Sequence, residues 1–328
     1  MRSNERLIQF FDLDLFGKSY AKDVKQTLES PRNLEEIMGE LESLRELNKA
    51  RRAVKISGKK TFEYRLEDMQ SHGDYWVLMV NVVDTKAAHP VTNIIGGSKL
   101  DRDTITLGDN KGIESSSHVI IRKTPTEAGK NKHLVLFEKS PSLSFVKVRT
   151  FLNSLFKIAA KHFDQDYRVS HPSGVGKMKV YCIASLYGHP SKEFFSELDN
   201  GVLNSIYITS DVSKVRGYDA KKHELLQEAK LKVSVSRKDI LLNGGNKKHL
   251  SKAIEIADSL SSPYVRVSFT DATGAGKSAK LSSDTSQLVD EAKFVRKAKI
   301  TDFRDALTTC YATINESIRD KMLELIDA

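Results

Sequence analysis

"YVRVSFTDATGAGKSAKL", residues 264–281, separates two fold classes. If Gly274, Gly276, Lys277 and Ser278 form a nucleotide-binding loop, the surrounding sheet is parallel and α/β. If they form the turn of a β-hairpin, it is antiparallel and α+β. A phosphate-binding loop runs G-x-x-x-x-G-K-[ST], and its backbone N–H groups wrap the phosphates ahead of a helix N-terminus. Counting back from Gly276-Lys277-Ser278, the first glycine position holds Asp271. A carboxylate there faces the triphosphate and repels it. The text that follows, "AKLSSDTSQ" (279–287), is short and polar, where an apolar helix is required. Val265, Val267 and Phe269 alternate with Arg266 and Ser268, the period of a half-exposed antiparallel strand. Asp271, Thr273, Gly274 and Gly276 are ordinary turn residues. The hairpin accounts for all of them.

Working outward, the C-terminal half alternates element types. A helix is expected over 191–199, a strand over 202–209, a basic loop and helix to 230, and a strand over 231–237. A helix over 247–260, the hairpin with its return strand near 279–282, and a last helix follow. That helix is expected from Thr301, with Phe303, Leu307, Cys310, Ile314, Ile318 and Leu325 on one side. In the N-terminal half the first regular element expected is a helix over 31–50, with Ser30 as N-cap and Pro31 at its first position. Leu34, Ile37, Met38, Leu41 and Leu44 form its apolar face, and "KARR" (49–52) places cations at its end. "AVKIS", "TFEYRL" and the strongly apolar "YWVLMVNVVD" (75–84) read as strands, and 96–117 as a long loop. "HVIIRK" and "HLVLFEK" read as two more strands. A helix over 144–163 carries Phe145, Val148, Leu152, Leu155, Phe156, Ala159 and Phe163 on one face. Lys147, Arg149, Lys157 and Lys161 lie around the other. Gly- and Pro-rich breaks at 168–178 and 187–190 set the expected division, an N-terminal α+β domain over 1–187 and a basic α+β domain over 188–328. The fold class is α+β, with mixed or antiparallel sheets flanked by helices.

The 328 residues are 39% hydrophobic and 29% charged, a composition that excludes wholesale disorder. The longest apolar run, "WVLMV" (76–80), is far below the roughly 20 residues of a membrane span. The first residues lack the pattern of a secretory signal, and Cys182 and Cys310 are too few for a disulfide framework. A cytoplasmic protein is expected. Nine scattered histidines form no H-x-H or H-x-x-x-H pair, and no G-x-S-x-G elbow occurs. No catalytic residue, metal or cofactor is assigned. "EAK" at 228–230 and at 291–293 resembles the end of a magnesium nuclease pattern, which keeps a nuclease using Glu228 or Glu291 as the alternative.

Charge is the informative property. The chain carries a net +9, and between Lys214 and Lys252 eleven cations face four carboxylates. Lys214, Arg216, Lys221, Lys222, Lys230 and Lys232 lie in the first part of this window. Arg237, Lys238, Lys247 and Lys248 lie in the second. In 231–237 and 264–269 the apolar residues alternate with Lys232, Ser234, Ser236, Arg266 and Ser268, giving a polar, cationic sheet face. Lys277 and Lys280 are expected to add to it. Cations with small hydroxyls make phosphate contacts, which carry no base information. Tyr218 is the one aromatic between 214 and 252, which favours duplex over single-stranded DNA. An acidic protein is the other partner such a face would take.

"YVRVSFTDATGAGKSAKLSSD" followed by "ITDFRDALTTCYATINESIRDKM" resembles the C-terminal part of RexA-like phage exclusion proteins. The matching positions are Cys310, Tyr311, Ala312, Ile314 and Ile318, and the order "FFSELDNGVLNSIYITSD", a basic helix, then "KVSVS" is similar in outline. The resemblance covers about 190–325. It extends to the KwaB-like proteins of the Kiwa anti-phage system. It implies a DNA-binding sensor or effector that forms a homodimer or higher homo-oligomer and acts with a separate membrane protein. It supplies no catalytic residue, and the long N-terminal α+β half departs from it.

Overall fold

A computed structural model describes residues 4–21, 23–24, 27–56, 59–95, 102–109, 111–127, 129–174, 176–210, 229–233, 245–260, 262, 264–283, 288–289 and 294–327. The fold is α+β, as expected, and the chain gathers into two compact units. The first comprises Met1–Ile8, Leu13–Ser185 and Ala298–Ala328; the second comprises Gln9–Asp12 and Leu186–Lys297.

In the first unit the strands run in the order β10-β1-β8-β7-β4-β3-β2. They are β1 (Arg6–Ser19), β2 (Arg51–Ile56), β3 (Lys59–His72), β4 (Tyr75–Asp84), β7 (Ile113–Arg122), β8 (Lys132–Glu138) and β10 (Lys177–Gly188). The pairs β2/β3, β3/β4, β4/β7 and β7/β8 are antiparallel. Trp76–Val82 is buried throughout because β4 has a strand on either side and is covered on both faces. The first regular element is β1 and not a helix. Its text, "RLIQFFDLDLFGKS", buries Ile8, Phe10, Phe11, Leu13 and Leu15. Short strands β5 (Val91–Thr92), β6 (Asp103–Thr104), β9 (Arg168–Ser170) and β16 (Lys297–Ile300) complete the chain order on this side.

Helix α1 spans Leu34–Glu46 and buries Leu34, Ile37, Met38, Leu41 and Leu44, the apolar face read from spacing. Its cap is Asn33, not Ser30. The Asn33 side chain accepts from Glu36 N–H, and the Glu36 carboxylate accepts from Asn33 N–H, a reciprocal capping box. Ser30 instead donates to the Arg32 carbonyl. The "KARR" cations do not end the helix, since Arg51 and Arg52 already belong to β2. Helix α2 (Phe145–His162) is capped by Ser144 and buries the expected face, to which Phe151 is added; Phe163 lies at its C-cap. Tyr64 of β3 stacks on Phe151 at 5.9 Å between ring centroids.

Two further expectations are corrected. The region 96–117 is not all loop, because β7 begins at Ile113 and buries Ser115, Ser116 and Ser117. Ser116 is tolerated there because its hydroxyl donates to Asn81 Oδ1 and accepts from Tyr311 N–H. The last helix does not start at Thr301. Residues 301–315 are irregular, with Asp302 at φ 59°, and the helix is Glu316–Asp327. Backbone groups of 308–315 find partners on the sheet and not in a helix. Thr308 O accepts from Arg6, Ile314 N–H donates to Asp68, and Asn315 N–H donates to His118 Nε2. His118 Nδ1 in turn lies 2.6 Å from Glu138, which also pairs with Arg6. Asn315 Oδ1 then accepts from Ile318 N–H and opens the helix.

In the second unit the order is β12-β11-β13-β14-β15. These are β11 (Val202–Ser210), β12 (Ala229–Val233), β13 (Tyr264–Thr270), β14 (Gly276–Ser282) and β15 (Leu288–Val289), all paired antiparallel. Ala229 and Lys230 are strand residues, not the end of a helix. Helices α3 (Lys192–Asn200) and α4 (Gly245–Ser259) cover one sheet face. Phe194 of α3 packs on Phe269 and Phe294 at 6.2 and 5.1 Å between centroids. The start of α4 is tied to α3 through Asn246, whose amide donates to the carbonyls of Leu198 and Gly201.

Candidate functional site

The stretch at 264–281 is a hairpin. β13 and β14 pair from Tyr264↔Ser282 to Thr270↔Gly276, and Asp271–Ala275 forms the turn. Asp271 organises it, accepting from Thr273 N–H (2.9 Å), the Thr273 hydroxyl (2.6 Å) and Ala275 N–H (3.0 Å). Gly274 takes φ +86°, a value that an L-residue adopts only under strain. Asp271 is thus the centre of the turn, and the loop has no phosphate cradle.

Lys277 does not join the cationic face. Its register partner is Phe269, so it belongs to the side of the sheet covered by α3. There its ammonium lies between Asp271 Oδ2 (2.5 Å) and Glu197 Oε2 (2.8 Å), with the side chain 13% exposed. Lys277, with the Thr273 hydroxyl, holds the Asp271 carboxyl far below the usual carboxylate range, and the lysine is raised in return. A lysine already neutralised by two carboxylates makes a poor phosphate ligand.

The opposite parity behaves as the alternation predicts. Lys232, Tyr207, Arg266 and Lys280 are successive register partners across β12, β11, β13 and β14. In the next row, Lys230, Thr209, Tyr264 and Ser282 align in the same way. Ser205, Ser268 and Ser278 form a third row on the same parity. These rows contain four cations, two tyrosines, five hydroxyl residues and no carboxylate. The intervening positions Ile206, Ile208, Val265, Val267, Ala279 and Leu281 are buried, which fixes the two faces. Arg266 is exposed, and the Lys280 ammonium sits 3.8 Å from the centre of the Tyr264 ring, a cation–π contact.

Other expected cations are placed elsewhere. Lys247 and Lys248 are exposed in the first turn of α4, and the Lys247 ammonium lies 4.6 Å from the centre of the Phe195 ring on α3. They belong to the helix layer and not to the sheet face, at a helix N-terminus that adds its own positive potential. Lys214, Arg216, Lys221, Lys222, Arg237 and Lys238 lie outside the described residues, as do Glu228 and Glu291. Tyr207 and Tyr264 lie outside the basic window 214–252, on strands whose alternation sets their face. The period-2 reading of 202–209 and 264–269 contains the signal that finds them.

The second unit is therefore an antiparallel sheet with helices on one face; on the other, Arg266 and Ser278 are exposed, Ser205, Tyr207, Tyr264, Ser268 and Lys280 are half-buried, and Ser282 is buried. No family model, curated protein or solved structure matches the chain. Among the described residues no helix is long and apolar enough to cross a membrane.

Proposed function

We propose that the protein binds duplex DNA through its phosphates, without base specificity, using the outer sheet face of the second unit. The observation that supports this most is the row in which register sets Arg266 beside Lys280, with Tyr207 next across the sheet and the Lys232 position beyond it, and no carboxylate among the described positions of that parity. Guanidinium, ammonium and hydroxyl groups are what phosphate oxygens recruit. The RexA-like resemblance sets this binding in phage exclusion, in the cytoplasm, by a homo-oligomer working with a membrane protein.

Binding of a labelled duplex, followed across salt concentrations, tests the reading. About six phosphate contacts give a log K against log salt slope near −5. Arg266→Gln with Lys280→Gln lowers the magnitude of that slope by about 2. Failure to bind duplex at low salt would end the proposal.

Tyr207 and Tyr264, on neighbouring strands of the same face, favour a second reading in which the ligand is single-stranded. Base stacking on an aromatic ring contributes about 1–3 kcal/mol per base. Tyr264→Leu then weakens single-strand binding at least about fivefold and spares duplex binding.

A further inference from the structure

In the first unit a small polar hollow of about 300 Å³ lies where the end of α1 turns into β2, with Arg45, Asn48, Arg51, Arg65 and Glu67 in its lining. The chain reaches this geometry within a few residues. Arg45 is in the last turn of α1. Asn48, at φ 54°, then reverses the backbone, and the amides of Lys49 and Ala50 both donate to the Leu44 carbonyl. Asn enters that left-handed region more readily than most residues. The reversal starts β2 at Arg51, whose register partner in β3 is Arg65. Like charges directly opposite on neighbouring strands repel and cost stability.

The carboxylates nearby do not use up the donors of these arginines. Arg65 Nε donates to Glu63 at 2.7 Å. Arg51 is exposed, and its side chain has no partner among the described residues. The carboxylate beside Arg45 is Asp68, with Oδ1 3.7 Å from Nη1, which is beyond hydrogen-bond reach. Both Asp68 oxygens already accept elsewhere, Oδ1 from Met69 N–H (2.9 Å) and Oδ2 from Ile314 N–H (3.0 Å). Arg45 Nε is shut off from solvent and meets no acceptor. A helix C-terminus favours a cation at this position, but that alone calls for no enclosed Nε. A guanidinium carries five N–H donors, and a buried donor left without an acceptor costs more than an ordinary hydrogen bond returns. Glu67 offsets part of the charge in the lining without accepting from Arg45 or Arg51. A phosphate group has several acceptor oxygens and matches the planar fork of arginine. The volume is at the lower end of small-molecule sites.

We propose that Arg45, Arg51 and Arg65 form a binding site for a phosphate group, either free phosphate or the phosphate of a small ester. The site uses no residue of the sheet face and is tested separately from it.

The full chain carrying Arg266→Gln/Lys280→Gln, which removes sheet-face cations, is titrated by calorimetry with inorganic phosphate and with glycerol 3-phosphate. Saturable binding is expected, weakened at least about tenfold by Arg51→Gln and by Arg45→Met. Glycerol 3-phosphate bound more tightly than phosphate, with the gain lost in Glu67→Gln, identifies an ester whose hydroxyl donates to Glu67. Equal binding of the two identifies free phosphate as the ligand. No saturable binding of either probe, or binding that neither arginine substitution weakens, overturns the site and leaves the sheet-face proposal standing. Arg51→Gln breaks no side-chain contact among the described residues, and it decides by the same criterion if Arg45→Met unfolds the protein.

Discussion

At residue scale, two glycines of one hairpin, Gly274 in the turn and Gly276 at the start of β14, carry different demands. A Cβ at Gly274 meets nothing within 4 Å, yet the residue sits at φ +86°. Gly274→Ala should therefore cost about 1–2 kcal/mol from backbone strain alone. Gly276 also has open space around it and no positive φ, so Gly276→Ala should stay within about 0.5 kcal/mol of wild type. Denaturant midpoints of the two variants check the contrast, and equal losses would refute it. Asp271 provides a pH test. Its carboxyl is depressed in the folded state by Lys277 and then by Thr273. Its stabilising contribution is thus complete above the ordinary carboxylate value of about 4 and fades as pH falls towards the folded value. Asp271→Asn should be clearly less stable than wild type at pH 5, and the gap should narrow at pH 3. A gap that stays constant over this window would show that the turn does not depend on the charge. The sequence disclosed Asp271 as the obstacle to a nucleotide loop. Its role as acceptor for the turn depends on Thr273 and Ala275 folding back over it, which spacing does not specify.

At element scale, periodicity located the faces better than the ends. The apolar face of α1 was legible, but its cap moved from Ser30 to Asn33 because only Asn33 has a reciprocating Glu36 three residues on. Asn33→Ala should destabilise by about 1 kcal/mol, whereas Ser30→Ala should leave the helix start unaffected. Thermal unfolding of both variants separates the two positions. The expected helix from Thr301 failed for a different reason. Apolar spacing at Phe303, Leu307 and Cys310 mimics a helix, but the backbone of 308–315 is claimed by Arg6, Asp68 and His118. Parity within β14 separates two lysines three residues apart. Lys280→Gln should reduce the DNA salt slope by about one, and Lys277→Gln should leave it unchanged while weakening the hairpin. A slope that responds to Lys277 instead would place phosphate on the wrong side of the sheet.

At the scale of the whole molecule, the net charge of +9 attracts polyanions from any direction, but a slope near −5 needs cations gathered at one place. Duplex affinity should fall about a thousandfold between 50 and 200 mM salt. Neutralising Lys55 and Lys177, exposed strand lysines of the first unit, should barely change that fall. An equal effect from these lysines and from the sheet-face pair would reduce the binding to bulk charge. The sequence by itself determined the α+β class, the hairpin at 264–281, the apolar faces of α1 and α2 and the alternation that makes β13 cationic on one side. All of these are local, set by side-chain period and turn chemistry within a few residues. Only the tertiary structure decided that β1 is a buried strand, that 301–315 is not helical, and that Lys277 is neutralised while Lys280 meets Tyr264. It alone aligned Lys232, Tyr207, Arg266 and Lys280 in one row and set Arg51 opposite Arg65 in one hollow with Arg45. The physical reason is that strand register and ion pairing depend on partners distant in the chain, and no local pattern records which partner will be opposite.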